Sequence, residues 1–201
     1  MIAIIDYGAG NLRSVQKALE KSTPDVRVTQ DPKTILRAKG VVLPGVGAIK
    51  PAKQKLDSLE LTSVIKEVIN RSAPFLGICV GFQLLFEKST EGGDAKGLGI
   101  FKGTVERFTI GKVPQIGWNQ LNIQNKSCPL FKDIPDSSFV YFCHSYFARP
   151  EEKAIISTIT DYGAPYASSV FKNNVFGVQF HPEKSQTVGL QILKNFTEIC
   201  Q

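Results

Sequence analysis

Three short apolar runs, each followed by a glycine-containing turn, constrain the fold of this chain more than any other feature. They span residues 2–6, 40–43 and 74–78. Apolar runs without polar alternation are typical of strands that are covered on both faces. Apolar residues at helical spacing follow the first run, over residues 12–19, and return over residues 61–69. This alternation predicts an α/β fold with a doubly wound, mostly parallel sheet and flanking helices.

The second half of the chain has a different pattern. Closely spaced runs rich in aromatic and β-branched residues occur at 104–108, 121–123, 139–142, 154–158 and 175–178. Such runs predict antiparallel strands in the C-terminal half. Apolar spacing from 187 to 199 predicts a final helix. No repeat or linker separates the two halves, so we expect a single domain over residues 1–201.

Composition excludes several classes of function. The 24 Lys and Arg residues exceed the 18 Asp and Glu residues, for a net charge of +6, but no basic run marks a nucleic-acid arm or membrane patch. No apolar stretch has the ~18 residues of a membrane span, and no secretion signal is recognisable. Four dispersed cysteines and two histidines disfavour disulfides and a zinc site. We therefore expect a soluble, cytoplasmic protein with no metal and no nucleic-acid or membrane partner.

The sequence Gly77-Ile78-Cys79-Val80-Gly81 is the strongest local signal for chemistry. Glycines two residues to either side of a nucleophile permit the sharp strand-to-helix turn of a nucleophile elbow. The turn places the central side chain at the carboxyl edge of the sheet, where a helix N-terminus favours a thiolate. Cys79 is therefore a candidate nucleophile, although a lone cysteine is more commonly a small buried hydrophobe.

Two histidines are candidates for the general base. His181 follows an apolar run, and Glu183 lies two residues later. Residues i and i+2 of an extended chain point to the same side, so Glu183 can orient the imidazole toward the sulfur. His144 has no acidic residue at that spacing and fits a packed or hydrogen-bonded structural role better. We therefore expect Cys79, His181 and Glu183 to form a catalytic triad.

Nucleophilic catalysis through a tetrahedral intermediate also needs backbone N–H groups that stabilise an oxyanion. Gly45, Val46 and Gly47 end a buried run, and the glycines allow the backbone to approach a ligand closely. We expect one of their N–H groups to form an oxyanion hole together with the N–H of Val80. An ordinary strand-ending turn is the alternative.

The turn Gly8-Ala9-Gly10 leaves a nucleotide-binding interpretation open. Arg13 occupies the third glycine position of a dinucleotide fingerprint, so this signal is weak. Asn11 is a plausible N-cap for the helix that follows. A non-enzymatic, flavodoxin-like nucleotide-binding module is therefore an alternative function.

Six sequence blocks, distributed over the whole chain, resemble the class I, or triad-type, glutamine amidotransferase family. They are Asp6-Tyr7-Gly8-Ala9-Gly10-Asn11-Leu12, Leu43-Pro44-Gly45-Val46-Gly47, Gly77-Ile78-Cys79-Val80-Gly81-Phe82-Gln83, Pro114-Gln115-Ile116-Gly117-Trp118-Asn119, Tyr141-Phe142-Cys143-His144-Ser145-Tyr146 and Gln179-Phe180-His181-Pro182-Glu183-Lys184-Ser185. The first, fourth and fifth blocks resemble the glutaminase subunits of histidine biosynthesis in particular. The resemblance implies the fold of this family, which is flavodoxin-like with added antiparallel strands, and no cofactor.

The resemblance also implies a substrate and its contacts. The substrate is L-glutamine, and the residues that align with substrate contacts are Gln83, Glu91, Ser145 and Tyr146. We expect the helix after the elbow to continue through Phe86. On that helix Gln83, four residues after Cys79, shares the face of the nucleophile.

A partner is implied because free ammonia would be lost to bulk water as ammonium. The partner is a cyclase with a (β/α)₈ barrel fold, which forms a heterodimer with the glutaminase. The residues that align with the interface near the ammonia exit are Asn11, Trp118, Tyr141 and Lys184. Core packing is the alternative for the two aromatic residues, and a solvated surface for the lysine. Glycines allow the peptide group that stabilises the oxyanion to reorient, so this group can be misplaced when no partner is bound. We therefore expect the isolated chain to hydrolyse glutamine slowly.

Two residues depart from the family pattern. Gln115 stands where many members carry histidine, and we expect an altered partner contact there. Cys143 stands where valine is usual, and we expect a core substitution that conserves volume. Two alternatives are a subunit that serves another synthase (anthranilate, aminodeoxychorismate or sugar amidination) and an inactive structural partner, which the intact triad disfavours.

Overall fold

The computed structural model describes residues 1–201. The strands are β1 Ile2–Ile5, β2 Val26–Thr29, β3 Gly40–Gly45, β4 Phe75–Cys79, β5 Phe86–Ser89, β6 Ala95–Lys96, β7 Phe101–Arg107, β8 Gln115–Gln120, β9 Asn122–Ile123, β10 Phe139–His144, β11 Tyr146–Pro150, β12 Ile156–Asp161, β13 Pro165–Lys172 and β14 Val175–Val178. The α-helices are α1 Leu12–Glu20, α2 Pro32–Arg37, α3 Ile49–Ser58, α4 Leu61–Asn70, α5 Val80–Gln83 and α6 Gln186–Ile199. Short 3₁₀ turns occupy Pro129–Phe131, Lys153–Ile155 and Pro182–Lys184.

Five strands at one end of a twelve-stranded sheet run parallel, in the order β2-β1-β3-β4-β14. Every residue of β1, β3, β4 and β14 is buried. These strands read as continuous apolar runs because both faces of the sheet are covered. The predicted mostly parallel sheet with flanking helices is confirmed.

The sheet continues from β14 through the antiparallel strands β13, β11 and β7. β12 pairs antiparallel with β13, and β8 and β10 form a separate antiparallel pair. The prediction of antiparallel strands in the C-terminal half is therefore confirmed, except that the run at 175–178 forms β14, which is antiparallel to β13 but parallel to β4. One predicted boundary is wrong, because residues 153–155 form a 3₁₀ turn and the strand predicted at 154–158 begins at Ile156.

Some elements lack the apolar patterns on which the predictions depend. Helix α3 buries only Ile49, Ala52 and Leu56 and is otherwise rich in lysine and polar residues. Strand β13 carries buried Ser168 and Ser169, whose hydroxyls lie 2.8 and 2.7 Å from the hydroxyl of Thr158 on β12. Hydrogen-bonded hydroxyls therefore replace apolar side chains inside this part of the sheet.

The helix expected to continue from the elbow through Phe86 is wrong. Helix α5 ends at Gln83, and Phe86 begins β5. The carbonyl groups of the residues between them bond elsewhere: Leu84 accepts from Leu98 N–H at 2.7 Å and Leu85 from Ile100 N–H at 2.9 Å. These tertiary hydrogen bonds draw the chain into the sheet after a single helical turn.

A hydrophobic cluster of 53 buried residues extends from Ile2 to Cys200 and includes Cys79 and Val80. Helix α1 packs against α6, and α2 and α3 pack against α4. The elbow is thus built into the core rather than carried on a surface loop. None of the helices combines the length and the apolar composition needed to cross a bilayer.

Candidate active site

Three neighbouring strands end beside one another at the carboxyl edge of the parallel sheet. Gly45 at the end of β3 pairs with Cys79 at the end of β4, and Val178 at the end of β14 pairs with Ile78. The segments that follow these strands line a cavity of about 300 Å³. This edge is where open α/β sheets bind ligands.

The backbone of Cys79 is strained. Its φ of 55° and ψ of −109° lie outside the regions favoured by residues with a Cβ atom. A Cβ atom on Gly77 would lie 2.6 Å from the carbonyl oxygen of Gly81, and one on Gly81 would overlap the carbonyl oxygen of Leu43. The two glycines therefore allow the tight turn that directs the cysteine into the cavity.

His181 and Glu183 are hydrogen-bonded, with 2.9 Å between Nδ1 and Oε1. Both side chains are buried, at 5% and 1% exposure. The carboxylate reaches the imidazole because residues 182–184 turn into a 3₁₀ helix, with only His181 itself in an extended conformation. The contact expected from extended geometry thus forms through a turn.

The environment of His181 favours the imidazolium form. Burial by itself lowers the pKa of this side chain, but interactions with the Cys79 sulfur and with Glu183 outweigh it and raise the pKa to about 10. Because Nδ1 contacts Glu183, Nε2 is the nitrogen available to the sulfur. A cationic imidazole beside a cysteine favours the thiolate, which is the reactive form.

Gln179, which the sequence patterns did not assign to the site, contacts the nucleophile. Its Nε2 atom lies 3.8 Å from the Cys79 Sγ atom, and the side chain is fully buried. Gln179 lies between the end of β14 and His181, and no local sequence pattern singled it out.

The loop after β3 borders the cavity at Val46 and Gly47, and Val80 borders it from the elbow. Gly45 is buried behind them, where a Cβ atom would lie 2.6 Å from the Tyr7 hydroxyl and 2.9 Å from the Val80 Cβ atom. Gly47 has a φ of +87° and open space around it. The loop therefore has a tightly packed base and an unconstrained tip.

The four residues expected to contact substrate all line the cavity, and they are Gln83, Glu91, Ser145 and Tyr146. The Gln83 Nε2 atom donates to the Tyr146 carbonyl oxygen at 2.9 Å. The Glu91 carboxylate accepts from the Ile49 N–H at 2.8 Å, at the start of α3. The cavity thus contains one lining carboxylate, that of Glu91, together with Cys79.

His144 is buried, and each of its ring nitrogens lies near a polar oxygen atom. Nδ1 lies 2.7 Å from the Tyr146 carbonyl oxygen, and Nε2 lies 3.3 Å from the Tyr166 hydroxyl. Burial, opposed by the Tyr146 hydrogen bond and reinforced by the charge of His181, lowers the pKa of His144 to about 4. His144 is therefore neutral in the folded chain at pH 7 and donates through Nδ1.

Stability is expected to fall as the pH decreases from 6.5 to 4 because of His144. The unfolded chain binds a proton at this residue below its ordinary pKa of 6.5, whereas the folded chain does so only below about 4. The loss reaches about 3 kcal/mol. Urea unfolding at pH 7 and pH 4.5 should show a smaller pH-dependent loss for His144→Gln than for the wild type. Equal losses in the two proteins would contradict this assignment.

Both departures from the family pattern lie where the sequence patterns did not place them. Gln115 is buried and accepts a hydrogen bond from the Tyr166 hydroxyl at 2.9 Å, so it faces the interior beneath the cavity rather than a partner. Cys143 is exposed and lines the cavity, so the expected core substitution is wrong. On β10, Cys143 alternates with buried Phe142 and His144 and therefore points outward.

The ribbon of β8 and β10 has an apolar outer face beside the cavity. Its exposed members are Ile116, Trp118 and Phe139, at 62%, 45% and 53% exposure. Trp118 pairs with Tyr141 across the ribbon, with ring centroids 6.1 Å apart. The exposure of Trp118 excludes the core-packing alternative for this residue.

Tyr141 connects this ribbon to the segment that carries His181 and Glu183. Its carbonyl oxygen accepts from the His181 N–H at 2.9 Å, and its N–H donates to the Ser185 hydroxyl at 3.0 Å. The Lys184 ammonium lies 5.6 Å from the centre of the Tyr141 ring. Asn11 is exposed at the start of α1, which packs against the turn at 182–184, and its side chain makes no capping hydrogen bond.

The turn at Gly8-Ala9-Gly10 has structural reasons for its glycines. Gly8 and Gly10 have φ values of +83° and +107°, and a Cβ atom on Gly10 would contact Pro44 at 3.6 Å. The Gly8 N–H donates to the Asp6 carboxylate at 2.9 Å. Elsewhere, no group of three or more His, Cys, Asp or Glu side chains is arranged to hold a metal ion.

The fold and this site define the class I glutamine amidotransferases, and the chain belongs to that family, whose model matches residues 3–200. The fold is shared with a crystal structure described as glutamine amidotransferase (TM-score 0.78, 16% identity, 100% of this chain and 99% of the other). It is also shared with a glutamine amidotransferase from Thermotoga maritima (TM-score 0.65, 19% identity, 90% of this chain and 75% of the other).

Relatives with higher sequence identity indicate a particular group within this family. "Imidazole glycerol phosphate synthase subunit HisH" of Moorella thermoacetica is 50% identical over 100% of this chain and 95% of its own length. The protein of the same name from Geobacter metallireducens is 49% identical over 97% of this chain and 96% of its own length. The predicted resemblance to the glutaminase subunits of histidine biosynthesis is confirmed.

Proposed function

We propose that the chain hydrolyses the side-chain amide of L-glutamine and delivers the ammonia to a cyclase with a (β/α)₈ barrel fold, in a heterodimer. The observation that carries this proposal is the strained Cys79 at a helix start, beside an imidazole whose pKa is raised by the sulfur and by Glu183. The relatives' shared name describes subunits of imidazole glycerol phosphate synthase. In this role the complex makes imidazole glycerol phosphate and AICAR from PRFAR in the cytoplasm.

The first half-reaction forms a thioester. The Cys79 thiolate attacks the amide carbon, a C–S bond forms, and the carbonyl electrons move onto oxygen. N–H groups of Val80 and of the Val46–Gly47 loop stabilise that oxyanion. The tetrahedral intermediate then collapses, the C–N bond breaks, and the leaving nitrogen takes the Nε2 proton of His181, so that ammonia departs and the imidazole becomes neutral.

The second half-reaction hydrolyses the thioester. Neutral His181 takes a proton from water, the resulting hydroxide attacks the thioester carbon, and collapse of this intermediate expels the Cys79 thiolate. The products are glutamic acid, whose γ-carboxyl group releases its proton to water to give glutamate, together with ammonia and the original imidazolium–thiolate pair. Glu183 holds the Nδ1–H and stabilises the positive charge in both stages.

The remaining cavity residues fit the two ends of glutamine. The Glu91 carboxylate pairs with the α-ammonium group, while Gln83, Ser145 and Tyr146 contact the rest of the substrate. In this proposal, pairing with Glu91 orients the amino acid so that its amide reaches Cys79.

The apolar face of β8 and β10 is the surface that the cyclase covers in this proposal. An exposed cluster with Ile116, Trp118 and Phe139 beside a reactive cavity is typical of a protein interface. The His181 N–H bonds to Tyr141 on this ribbon, so ammonia leaving the triad emerges near Tyr141, Trp118 and Lys184. In the proposal the same interface includes Asn11, at the start of the helix that packs against the turn at 182–184. We also propose one domain over residues 1–201, supported by the continuous core.

The test is glutamate release from glutamine by the chain alone, with the cyclase, and with the cyclase and its nucleotide ligand. We expect slow turnover by the chain alone and much faster turnover in the loaded complex, because the unconstrained Gly47 peptide is then held in its oxyanion-binding orientation. Full activity without the cyclase or its ligand would contradict this dependence of turnover on the loaded complex. Activation by a chorismate-using synthase instead of the cyclase would favour the alternative assignment.

A further inference from the structure

We propose that Gln179 is the hydrogen-bond donor that stabilises and orients the Cys79 thiolate, and that Gln83 fixes the Gln179 amide in the donating orientation. This inference rests on the proposed function, in which Cys79 is the nucleophile. It adds a residue that contacts the reacting atom to the three triad members.

The orientation of each amide follows from a chain of hydrogen bonds. The Tyr146 carbonyl oxygen can only accept, so the Gln83 atom 2.9 Å away is the nitrogen. The same nitrogen lies 2.9 Å from the Gln179 side chain, which must therefore present its oxygen to Gln83. The Gln179 nitrogen is then the atom that faces the sulfur at 3.8 Å.

The Tyr146 carbonyl oxygen, at the end of this series of hydrogen bonds, accepts from a second side chain. His144 donates to the same Tyr146 carbonyl oxygen at 2.7 Å, so this oxygen accepts from two side chains. A carbonyl has two lone pairs, and both are used. His144 and Gln83 together therefore hold the Tyr146 carbonyl toward the interior and keep Gln83 from turning over.

Burial explains why the donor favours the ionised sulfur. Gln179 is fully buried, so its nitrogen needs an acceptor inside the protein. A neutral thiol is a weak acceptor, whereas a thiolate accepts a charge-assisted hydrogen bond, which is roughly twice as strong as a neutral one. The Gln179 amide therefore stabilises Cys79 most when it is ready to attack.

Apart from Cys143, which is replaced in every protein compared, the titratable groups that surround Cys79 stay unchanged in the variants below. His181 faces the sulfur from the segment after β14, and Tyr7 faces it from the turn after β1, where burial and the Cys79 charge raise the pKa of Tyr7. The other titratable groups that line the cavity are Glu91, Cys143, His144, Tyr146 and Lys184.

The experiment measures the rate of Cys79 alkylation by iodoacetamide against pH in the full-length chain. Exposed Cys143 is replaced in every protein (Cys143→Ser), while buried Cys128 and Cys200, whose pKa values are raised by burial, contribute little. Gln179→Met keeps the side-chain length but removes the donor. We expect the midpoint for thiolate formation to rise by about one pH unit.

Glutaminase kinetics of the cyclase complex give the second readout. For Gln179→Met we expect kcat to fall about 10- to 100-fold, with KM changed less than about threefold, because the lost bond is to the nucleophile. Gln191→Met is the matched control, since Gln191 bonds only to Asn195 on α6. It should change neither readout.

Gln179→Glu provides a second variant if Gln179→Met does not fold. It keeps the shape and the acceptor for Gln83 but puts a carboxylate oxygen beside the sulfur, so the midpoint should rise further. A folded Gln179 variant with the wild-type midpoint and kcat would overturn the inference. Absence of glutamate release by the wild-type complex would instead overturn the proposed function, because alkylation reports on Cys79 independently of glutamine.

Discussion

Cys79→Ala is expected to lower glutamine hydrolysis in the loaded complex by at least about 1,000-fold. The alanine has no atom that can form the thioester, and no other thiol occupies the elbow. His181 and Glu183 remain in place but have no nucleophile to assist. Glutamate release is the measurement, and cyclase activity with ammonium salts should persist, because that reaction does not use the glutaminase site.

Cys143→Ser is the matched control for this substitution. Cys143 also lines the cavity, and it is the more exposed of the two thiols, yet it has neither the elbow geometry nor the imidazole partner. Its replacement should leave turnover within about threefold of the wild type. If Cys143→Ser abolished turnover and Cys79→Ala did not, the assignment of the nucleophile would be wrong.

Gly81→Ala is expected to destabilise the chain by about 3 kcal/mol or more, and to remove glutaminase activity. The added methyl group would overlap the carbonyl oxygen of Leu43 on β3, and neither backbone can move without disturbing the core. The midpoint of urea unfolding measures the loss, and glutamate release at a temperature where the variant is folded measures the effect on the elbow.

Gly93→Ala is the control that separates the effect of this steric overlap from the loss of stability expected when a glycine with positive φ is replaced. Gly93 has a φ of +76° and no atoms within 4 Å of the added Cβ position. Its replacement should cost only about 1–2 kcal/mol, from backbone strain. A loss for Gly81→Ala no larger than this would show that the elbow can relax around a methyl group.

Local sequence patterns predicted three of the parallel strands and named the residues of the proposed catalytic triad. Strands β1, β3 and β4 are covered on both faces, so successive residues are apolar and the strands appear in the sequence as continuous apolar runs. Cys79 lies between two glycines, and Glu183 lies two residues after His181. Each of these signals comes from neighbours in the chain, which is the range over which pattern arguments work.

Features that depend on distant pairings were not predictable in the same way. Gln83 and Gln179 are 96 residues apart, and no local pattern indicates that their amides meet. The early end of α5 depends on hydrogen bonds from Leu98 and Ile100. The outward direction of Cys143 depends on the register of β10 against β8, which alternation alone does not reveal in an aromatic strand.

The positive φ of Cys79 affects how active sites of this kind can evolve. A glycine would adopt that conformation without strain, so the residue that suits the fold best is one that performs no chemistry. Selection for a robust fold and selection for turnover therefore act in opposite directions at this single codon. A lineage released from the need for ammonia would be expected to lose the nucleophile first and to keep the scaffold.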